Sequence, residues 1–431
     1  MRQRQSGCRY AFVIFLLFFM TGIAIVIYLN QTPNEPRERD YAFAGSFYAW
    51  TIWLGIAVPA IFDIVRSICK RICKRERTMA AIVVALSLAV PLQMLSQTYD
   101  DHDRSGRTAA RDYAINILES LDKNAILFTN GDNFTFPLWY AQEVEGIRRD
   151  VRVVNLAYLS TDWYLMQMMI DAYDSKALPL TATPADIAMR RCSVVHFGNI
   201  DHMPADASLA LQQIYNGKTD KPQISNPILK IPTHKESALS RCLISADEFP
   251  LLPDTIELSV YDMIPTNRRY LRQDELAVLD IVATNAINGW QRPIYWVKDV
   301  GLQGFYGLKP YFKRIGMVYQ LTPLRRYTTP HDAEKVYELA MHKFKWGGAD
   351  VAQGEKIPYF DETAGDIMAR LRRCLIAAAN DLISQADCDI SKTNLYQKAL
   401  LLLQLIEKSL PNHVWPYETF NEEYITSNEA V

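Results

Sequence analysis

At 431 residues the chain exceeds one ordinary domain, and it is 49% hydrophobic with a mean hydropathy of only −0.08, so a soluble average conceals greasier stretches. A net charge of −2 and the absence of a basic stripe interleaved with aromatics exclude nucleic acid as an expected partner. Seven cysteines follow no zinc or redox spacing.

Three charge-poor runs come first: Tyr10–Leu29, Phe43–Val65 and the shorter Met79–Leu95, which carries Pro91. Their length and composition fit membrane-spanning helices. Arg2, Arg4 and Arg9 precede the first run, and Arg66, Lys70, Arg71, Lys74, Arg75 and Arg77 cluster between the second and third. The intervening loop has only Arg37 and Arg39, offset by Glu35, Glu38 and Asp40. Positive-inside asymmetry therefore predicts a cytoplasmic N-terminus, with residues 96–431 on the outer side.

A helix is expected next, to about Leu121, with Ala110, Tyr113, Ala114, Ile117 and Leu118 on one face. Ala125–Thr129 reads as a buried strand and Asn130-Gly131-Asp132-Asn133 as a turn. Pro137 is expected to open a helix that stops at Gly146, and Val151–Leu159 to form a second strand. Strand, helix and strand in this order predict a βαβ unit with parallel strands. Ligands gather at the carboxyl ends of such strands, which makes Asn130, Asp132 and Asn133 candidate substrate-binding residues. The same residues equally suit a turn and a helix cap.

Beyond this unit a helix is expected near Trp163–Tyr173, whereas residues 175–255 are punctuated by proline and give no clear pattern. Ile256, Leu258 and Val260 alternate as a strand, Asp274–Asn288 reads as an amphipathic helix closed by Gly289, and Pro293–Val297 and Met317–Leu321 as strands. From about Pro330 the pattern is helical: Ala333–Lys345, Glu362–Ser384 and Thr393–Leu410. The run KALLLLQLIEKSLPN resembles the second helix of a tetratricopeptide repeat. The expected organisation is a three-span anchor over 1–95, a Rossmann-like α/β domain outside the cytoplasm over 96–328, and a helical, TPR-like region over 329–431.

Asp101-His102-Asp103, followed by Arg104, resembles the Asp-x-Asp that holds a metal and a nucleotide sugar, but ordinary helix-entry contacts near lipid headgroups explain it as well. No metal is expected there. Arg37 and Arg39 could meet a lipid phosphate bidentately or simply anchor the loop at the headgroups. The chain lacks G-x-G-x-x-G and G-x-x-x-x-G-K-[ST], so no cofactor is expected; H-E-x-x-H and G-x-S-x-G are missing too. Cys192 and Cys242 are expected to pair in an oxidising compartment.

RERDYAFAGSFYAWTIWLG, DHDRSGR, AILFTNGDNFTFPLWYAQEVEG, DVRVVNLAYLSTDWY and NGWQRPIYW together resemble a family of multi-pass bacterial membrane proteins common in Bacteroidetes. That family is similar to transmembrane protein O-mannosyltransferases of the GT-C type. The resemblance implies transfer of a sugar from a polyprenyl-phosphate carrier to an acceptor protein outside the bacterial inner membrane, without a metal. Members carry further spans before the RERDY loop, with the catalytic acid among them. The chain thus resembles the C-terminal half, and no catalytic residue carries over. The expected role is substrate or partner handling, with membrane lipid, the polyprenyl-phosphate sugar, an acceptor protein and a multi-span partner as its contacts. A membrane-tethered binding scaffold without chemistry is the alternative. Gly45, Ser46, Ala49 and Gly55 offer the small-residue face on which a partner helix would pack.

Overall fold

A computed structural model describes residues 2–30, 40–68, 76–191, 193–197, 204–216, 223–224, 226–265, 268–298, 300–350, 360–388 and 392–411. The chain divides into two compact units, Met1–Arg104 and Ser105–Val431.

In the first unit three helices are long and apolar enough to cross a membrane: Cys8–Leu29, Tyr41–Ile68 and Glu76–Tyr99. Their side chains are largely exposed, as lipid-facing surfaces are. The first two meet through small residues. A Cβ on Gly22 would lie 2.5 Å from the Ser46 hydroxyl, one on Gly45 would lie 3.0 Å from Thr21, and Ser46 and Ala49 are buried. Most of the small face expected to receive a partner is therefore occupied by the chain's own first span. Gly55 alone of that set has open space around it. Phe15, Phe18, Trp50 and Trp53 extend the contact, with ring centroids 5.8–6.5 Å apart. The third membrane helix runs on to His102 because nothing in Ser96–His102 breaks it. Asp101 and His102 thus end a helix rather than enter one, and the next helix starts only at Ala109.

The second unit is a mixed α/β body. Strands β1 (Ile126–Thr129) and β2 (Arg152–Asn155) pair in parallel, joined by the Asp132–Glu143 helix, as the βαβ pattern predicts. Ile294–Val297 lies parallel to β1 on its other side, and the hairpin Phe312–Ile315/Val318–Leu321 completes a five-stranded sheet with β2 at one edge. Phe128, Trp296 and Phe312 pack against one another as tilted rings, with centroids 4.6 and 5.1 Å apart. The crossover helix starts at Asp132, five residues before Pro137, because Gly131 (φ +77°) reverses the chain and an acidic side chain suits the first turn. It ends as expected: Gly146 has φ +70° and the Ile147 N–H reaches the Ala141 carbonyl at 3.0 Å.

The unassigned stretch 175–255 forms two small three-stranded sheets built from distant segments, Val194–Phe197 pairing with Tyr270–Arg272 and Ile228–Pro232 with Thr255–Ser259. The Gln273–Ile287 helix is buried nearly all round rather than on one face. Its Asp280, fully buried, accepts the Thr181 and Ala182 N–H groups at 2.9–3.1 Å and the Thr284 hydroxyl at 2.8 Å. Trp163–Tyr173 is helical only over Asp162–Met168. Ala333–His342, Glu362–Cys388 and Asn394–Ser409 pack on one another at the C-terminal end. Cys242 is an exposed free thiol, and Cys192 lies outside the described residues.

Candidate functional site

A cavity of about 600 Å³ opens where β1 and β2 end. Asn130, the first residue after β1, and Leu156–Ala157, just after β2, form one wall. The strand ends are fixed from behind by a buried polar knot. Thr129 and Thr135 share a hydrogen bond of 2.8 Å, the Asn155 amide donates to Thr135 at 3.0 Å, and Asn155 Oδ1 accepts the Ala157 N–H at 2.9 Å. The motif residues that made this stretch recognisable thus shape the wall, while Asn130 faces the opening and ties its amide to the Val300 carbonyl at 3.1 Å.

The opposite wall is the segment Arg268–Glu275, where a short strand feeds the buried Gln273–Ile287 helix. Two acids sit in that first turn, Asp274 at 5% and Glu275 at 3% exposure. A carboxylate there complements the helix dipole. Glu275 accepts the Arg272 backbone N–H at 2.8 Å and an Arg268 Nη1 bond at 3.2 Å. Asp274 Oδ2 accepts from Arg272 Nη2 at 2.8 Å and from the Tyr306 hydroxyl at 3.4 Å. Asp274 Oδ1 is buried with no hydrogen-bond partner among the described residues. Burial, followed by the charges of Asp274 and Glu275, pushes the Tyr306 hydroxyl well above its ordinary value, so it stays protonated and able to donate. Gly307 closes this rim: with φ +68°, its Cβ position would fall 2.6 Å from the Asp262 carbonyl, so only glycine fits.

The cavity can therefore hold a polar, uncharged group. Asp274 Oδ1 awaits a donor, Arg272 and Asn130 sit nearby, Tyr270 and Tyr306 offer aromatic surface, and the acids are already balanced by arginines. The chemistry matches hydroxyl groups better than an anion or a metal, and among the described residues no cluster of three or more metal-ligating side chains occurs.

Of the residues expected from the sequence, Asn130 lines this cavity. Asp132 and Asn133 are exposed in the first turn of the crossover helix, on the far side of the Gly131 turn. Asp101, His102, Asp103 and Arg104 belong to the other unit; His102 Nδ1 lies 2.8 Å from the Thr98 carbonyl, and the Asp103 N–H bonds the Tyr99 carbonyl at 2.9 Å. Arg37 and Arg39 lie outside the described residues. Arg268, Arg272, Asp274, Glu275 and Tyr306 were not foreseen. The run RRYLRQDE held the signal, five charges in eight residues at a helix start.

Three helices long and apolar enough to cross a membrane, followed by a mixed α/β body with a polar cavity, define the class: a membrane protein with a mixed α/β unit. The chain belongs to the family described as TMEM260-associated domain 2, which it matches over residues 110–339, more than half its length. The mouse (Mus musculus) protein named Protein O-mannosyl-transferase TMEM260 is 26% identical over 147 aligned positions, covering 28% of this chain and 20% of that protein. The aligned part thus spans about a fifth of that relative. No solved structure matches.

Proposed function

We propose that this chain is part of a GT-C-like membrane glycosyltransferase of the O-mannosyltransferase kind, and that its α/β unit handles the hydroxyl-bearing substrate. The observation that carries this is Asp274 Oδ1, a buried carboxylate oxygen without a partner, in the wall of a cavity at the carboxyl ends of parallel strands. The similarity to a protein named as an O-mannosyltransferase supports the reaction class. In this reading the substrate is the acceptor protein or the sugar borne on polyprenyl phosphate. Asp274 accepts its hydroxyl proton in a hydrogen bond, Tyr306 and Arg272 hold the carboxylate in place, and Asn130 closes the wall. None of these is assigned as a proton-transfer residue.

The reading also places the three helices in a bacterial inner membrane, in contact with lipid, with residues 96–431 in the periplasm and a multi-span partner alongside. The arginine and lysine asymmetry supports it. Alkaline phosphatase fused after Tyr99 is expected to be active, and a fusion within Arg66–Thr78 inactive; the reverse pattern removes the functional reading altogether. Within residues 96–431, 96–328 acts as the Rossmann-like substrate part and 329–431 as a TPR-like support, a reading supported by the parallel β1–β2 pairing and the packed terminal helices.

The direct test is a deletion strain complemented with the full chain and scored for protein-linked mannose. Asp274→Asn keeps the shape but weakens acceptance at Oδ1. It is expected to lower transfer by about 10-fold or more, the scale of a hydrogen bond to a charged group, at unchanged protein abundance. Wild-type transfer by this variant would sink the assignment. A membrane-tethered binding module without chemistry is the second reading, favoured by the pairing of both buried acids with arginines, which suits holding a ligand better than moving a proton. Retention of acceptor binding with no dependence of transfer on the chain would select it.

A further inference from the structure

Two arginines are sequestered at the opposite, amino-terminal end of β1 and β2, and neither hydrogen-bonds a carboxylate. Arg152 and Arg292 are each 5% exposed. Arg292 spends its donors on the carbonyls of Asn124, Ala125, Lys176 and Ala177 and on the Ser175 hydroxyl, at 2.8–3.3 Å. Arg152 gives Nη2 to the Gln167 and Ile170 carbonyls at 2.8 and 2.9 Å. Its Nε and Nη1 are buried and have no partner among the described residues. Asp171 attracts Arg152 through space, but its own oxygens bond Lys176 Nζ and the Ala177 N–H, both at 2.8 Å.

A guanidinium withdrawn from water needs an anion or a full set of acceptors. Arg152 has neither. Burial pulls the pKa of both arginines below the ordinary arginine range, Arg292 down to about 10, and the charge of Arg152 adds to the fall at Arg292. Asp150 and Asp171 act on Arg292 through space, but no carboxylate hydrogen-bonds either arginine among the described residues.

Arg152 lines a cavity of about 280 Å³ together with Trp139, Gln142, Tyr164, Tyr173 and Ser175. At the rim Tyr173 is exposed, its hydroxyl donates to Glu143, and the Arg149 guanidinium lies 4.7 Å over its ring. The rim thus combines a second cation, Arg149, and a carboxylate, Glu143, already engaged by the Tyr173 hydroxyl, with an aromatic face, and Trp139 adds another within.

We propose that this cavity is an oxyanion site for a phosphate monoester of about monosaccharide size, bound by the unspent N–H groups of Arg152 with Trp139 and Tyr173 against its carbon skeleton. A phosphate offers three acceptor oxygens to donors that now have none. The volume falls just under the usual range of about 300–1,000 Å³ for small-molecule sites, too small for a folded peptide segment. The site is separate from the cavity at the carboxyl end and does not depend on the function proposed for it. The phosphate could come from a free sugar phosphate or from the headgroup of a phosphorylated prenyl lipid.

Calorimetric titration of the full chain in detergent micelles tests this, at constant ionic strength, with inorganic phosphate, a hexose phosphate, a short-chain prenyl phosphate and an uncharged hexose. Binding of the hexose phosphate above inorganic phosphate, with none of the neutral hexose, is expected. Tighter binding of the prenyl phosphate than of the hexose phosphate would support the site and identify the lipid as its source. Arg152→Gln is expected to weaken phosphate binding by about 10-fold or more, on the scale of a charge-assisted hydrogen bond. Should that variant fail to fold, Tyr173→Ala on the exposed rim serves instead, and is expected to weaken the hexose phosphate but not inorganic phosphate. No binding of any phosphate, equal binding of the neutral hexose, or unchanged hexose-phosphate affinity in the folded variants overturns the proposal.

Discussion

The two ends of β1 and β2 solve the burial of charge in opposite ways. At the carboxyl end, Asp274 and Glu275 each meet an arginine, and one carboxylate oxygen is left over. At the amino end, Arg152 and Arg292 meet only carbonyls and a hydroxyl, and guanidinium N–H groups are left over. A leftover acceptor invites a neutral donor such as a hydroxyl; a leftover cationic donor invites an anion. One sheet thus presents complementary demands at its two ends, and the difference lies in the partners of the buried charges rather than in the shape of the cavities.

The sharpest way to break that contrast is to remove the amino-end anchor. Arg292→Met takes this donor from the Asn124, Lys176 and Ala177 carbonyls and the Ser175 hydroxyl, while the Ala125 carbonyl keeps the Arg152 backbone N–H at 2.8 Å. Each buried group left unmade costs about 1–3 kcal/mol, so a loss above roughly 3 kcal/mol is expected, seen as a large fall in Tm. Stability within about 1 kcal/mol of the parent would show that the carbonyl cage is not what holds β1 to the 175–177 loop. At the other end Gly307→Ala forces a side chain into a left-handed backbone and against the Asp262 carbonyl. About 1–3 kcal/mol of destabilisation is expected, with the Tyr306 side of the cavity displaced. A crystal structure of the variant with Tyr306 still bonded to Asp274 would contradict that.

Acid offers a gentler probe. Asp122 accepts from Tyr295 at 2.6 Å, Lys335 at 2.9 Å and Gln320 at 3.2 Å. Burial raises its pKa, but the Lys335 charge, the Tyr295 hydroxyl and Arg148 together outweigh burial and hold it below the ordinary value. In Asp150 burial is likewise outweighed, there by Arg148 and the Asn124 N–H. Near pH 4 the unfolded chain then binds more protons than the folded one. The stabilisation is present above the ordinary aspartate value of about 3.9 and is lost as pH falls through the lower folded values. Asp122→Asn should flatten the Tm profile in that acid range; a profile as steep as the parent's would assign the acid loss elsewhere.

The sequence disclosed what depends on local pattern. The βαβ unit, the Gly146 and Gly289 stops, the three apolar helices and the terminal helices were legible because periodicity and turn chemistry act over a few residues. The strands of 175–255 were not, since those shown run two to five residues and pair with distant segments. Gln273–Ile287 looked amphipathic because Asp274, Glu275 and Asp280 read as surface charges. The arginine partners of Asp274 and Glu275 stand within seven residues, in the RRYLRQDE run, but Tyr306 lies 32 residues from Asp274 and the backbone partners of Asp280 up to 99 away, where no local pattern reveals them. For the same reason the carboxyl-end cavity was half foreseen: topology pointed to Asn130, but not to the wall that faces it.

The smallest effect separates Asn130 from the two residues that share its turn. Asp132 is exposed in the first turn of the Asp132–Glu143 helix and is not among the residues lining the cavity. Asp132→Asn removes a charge that favours the helix dipole, worth about 0.3–1 kcal/mol, while keeping the side chain's shape and its capping ability. Asn130→Ala removes the amide that reaches the Val300 carbonyl and shortens the cavity wall itself. If the cavity handles substrate, Asn130→Ala should lower protein-linked mannose in the complemented strain and Asp132→Asn should leave it near the parental level, although both change Tm by little. The opposite ranking would move the site across the Gly131 turn, onto the helix terminus where Asp132 and Asn133 stand. Equal losses would mean that the turn acts as one unit, its φ of +77° at Gly131 setting both residues at once.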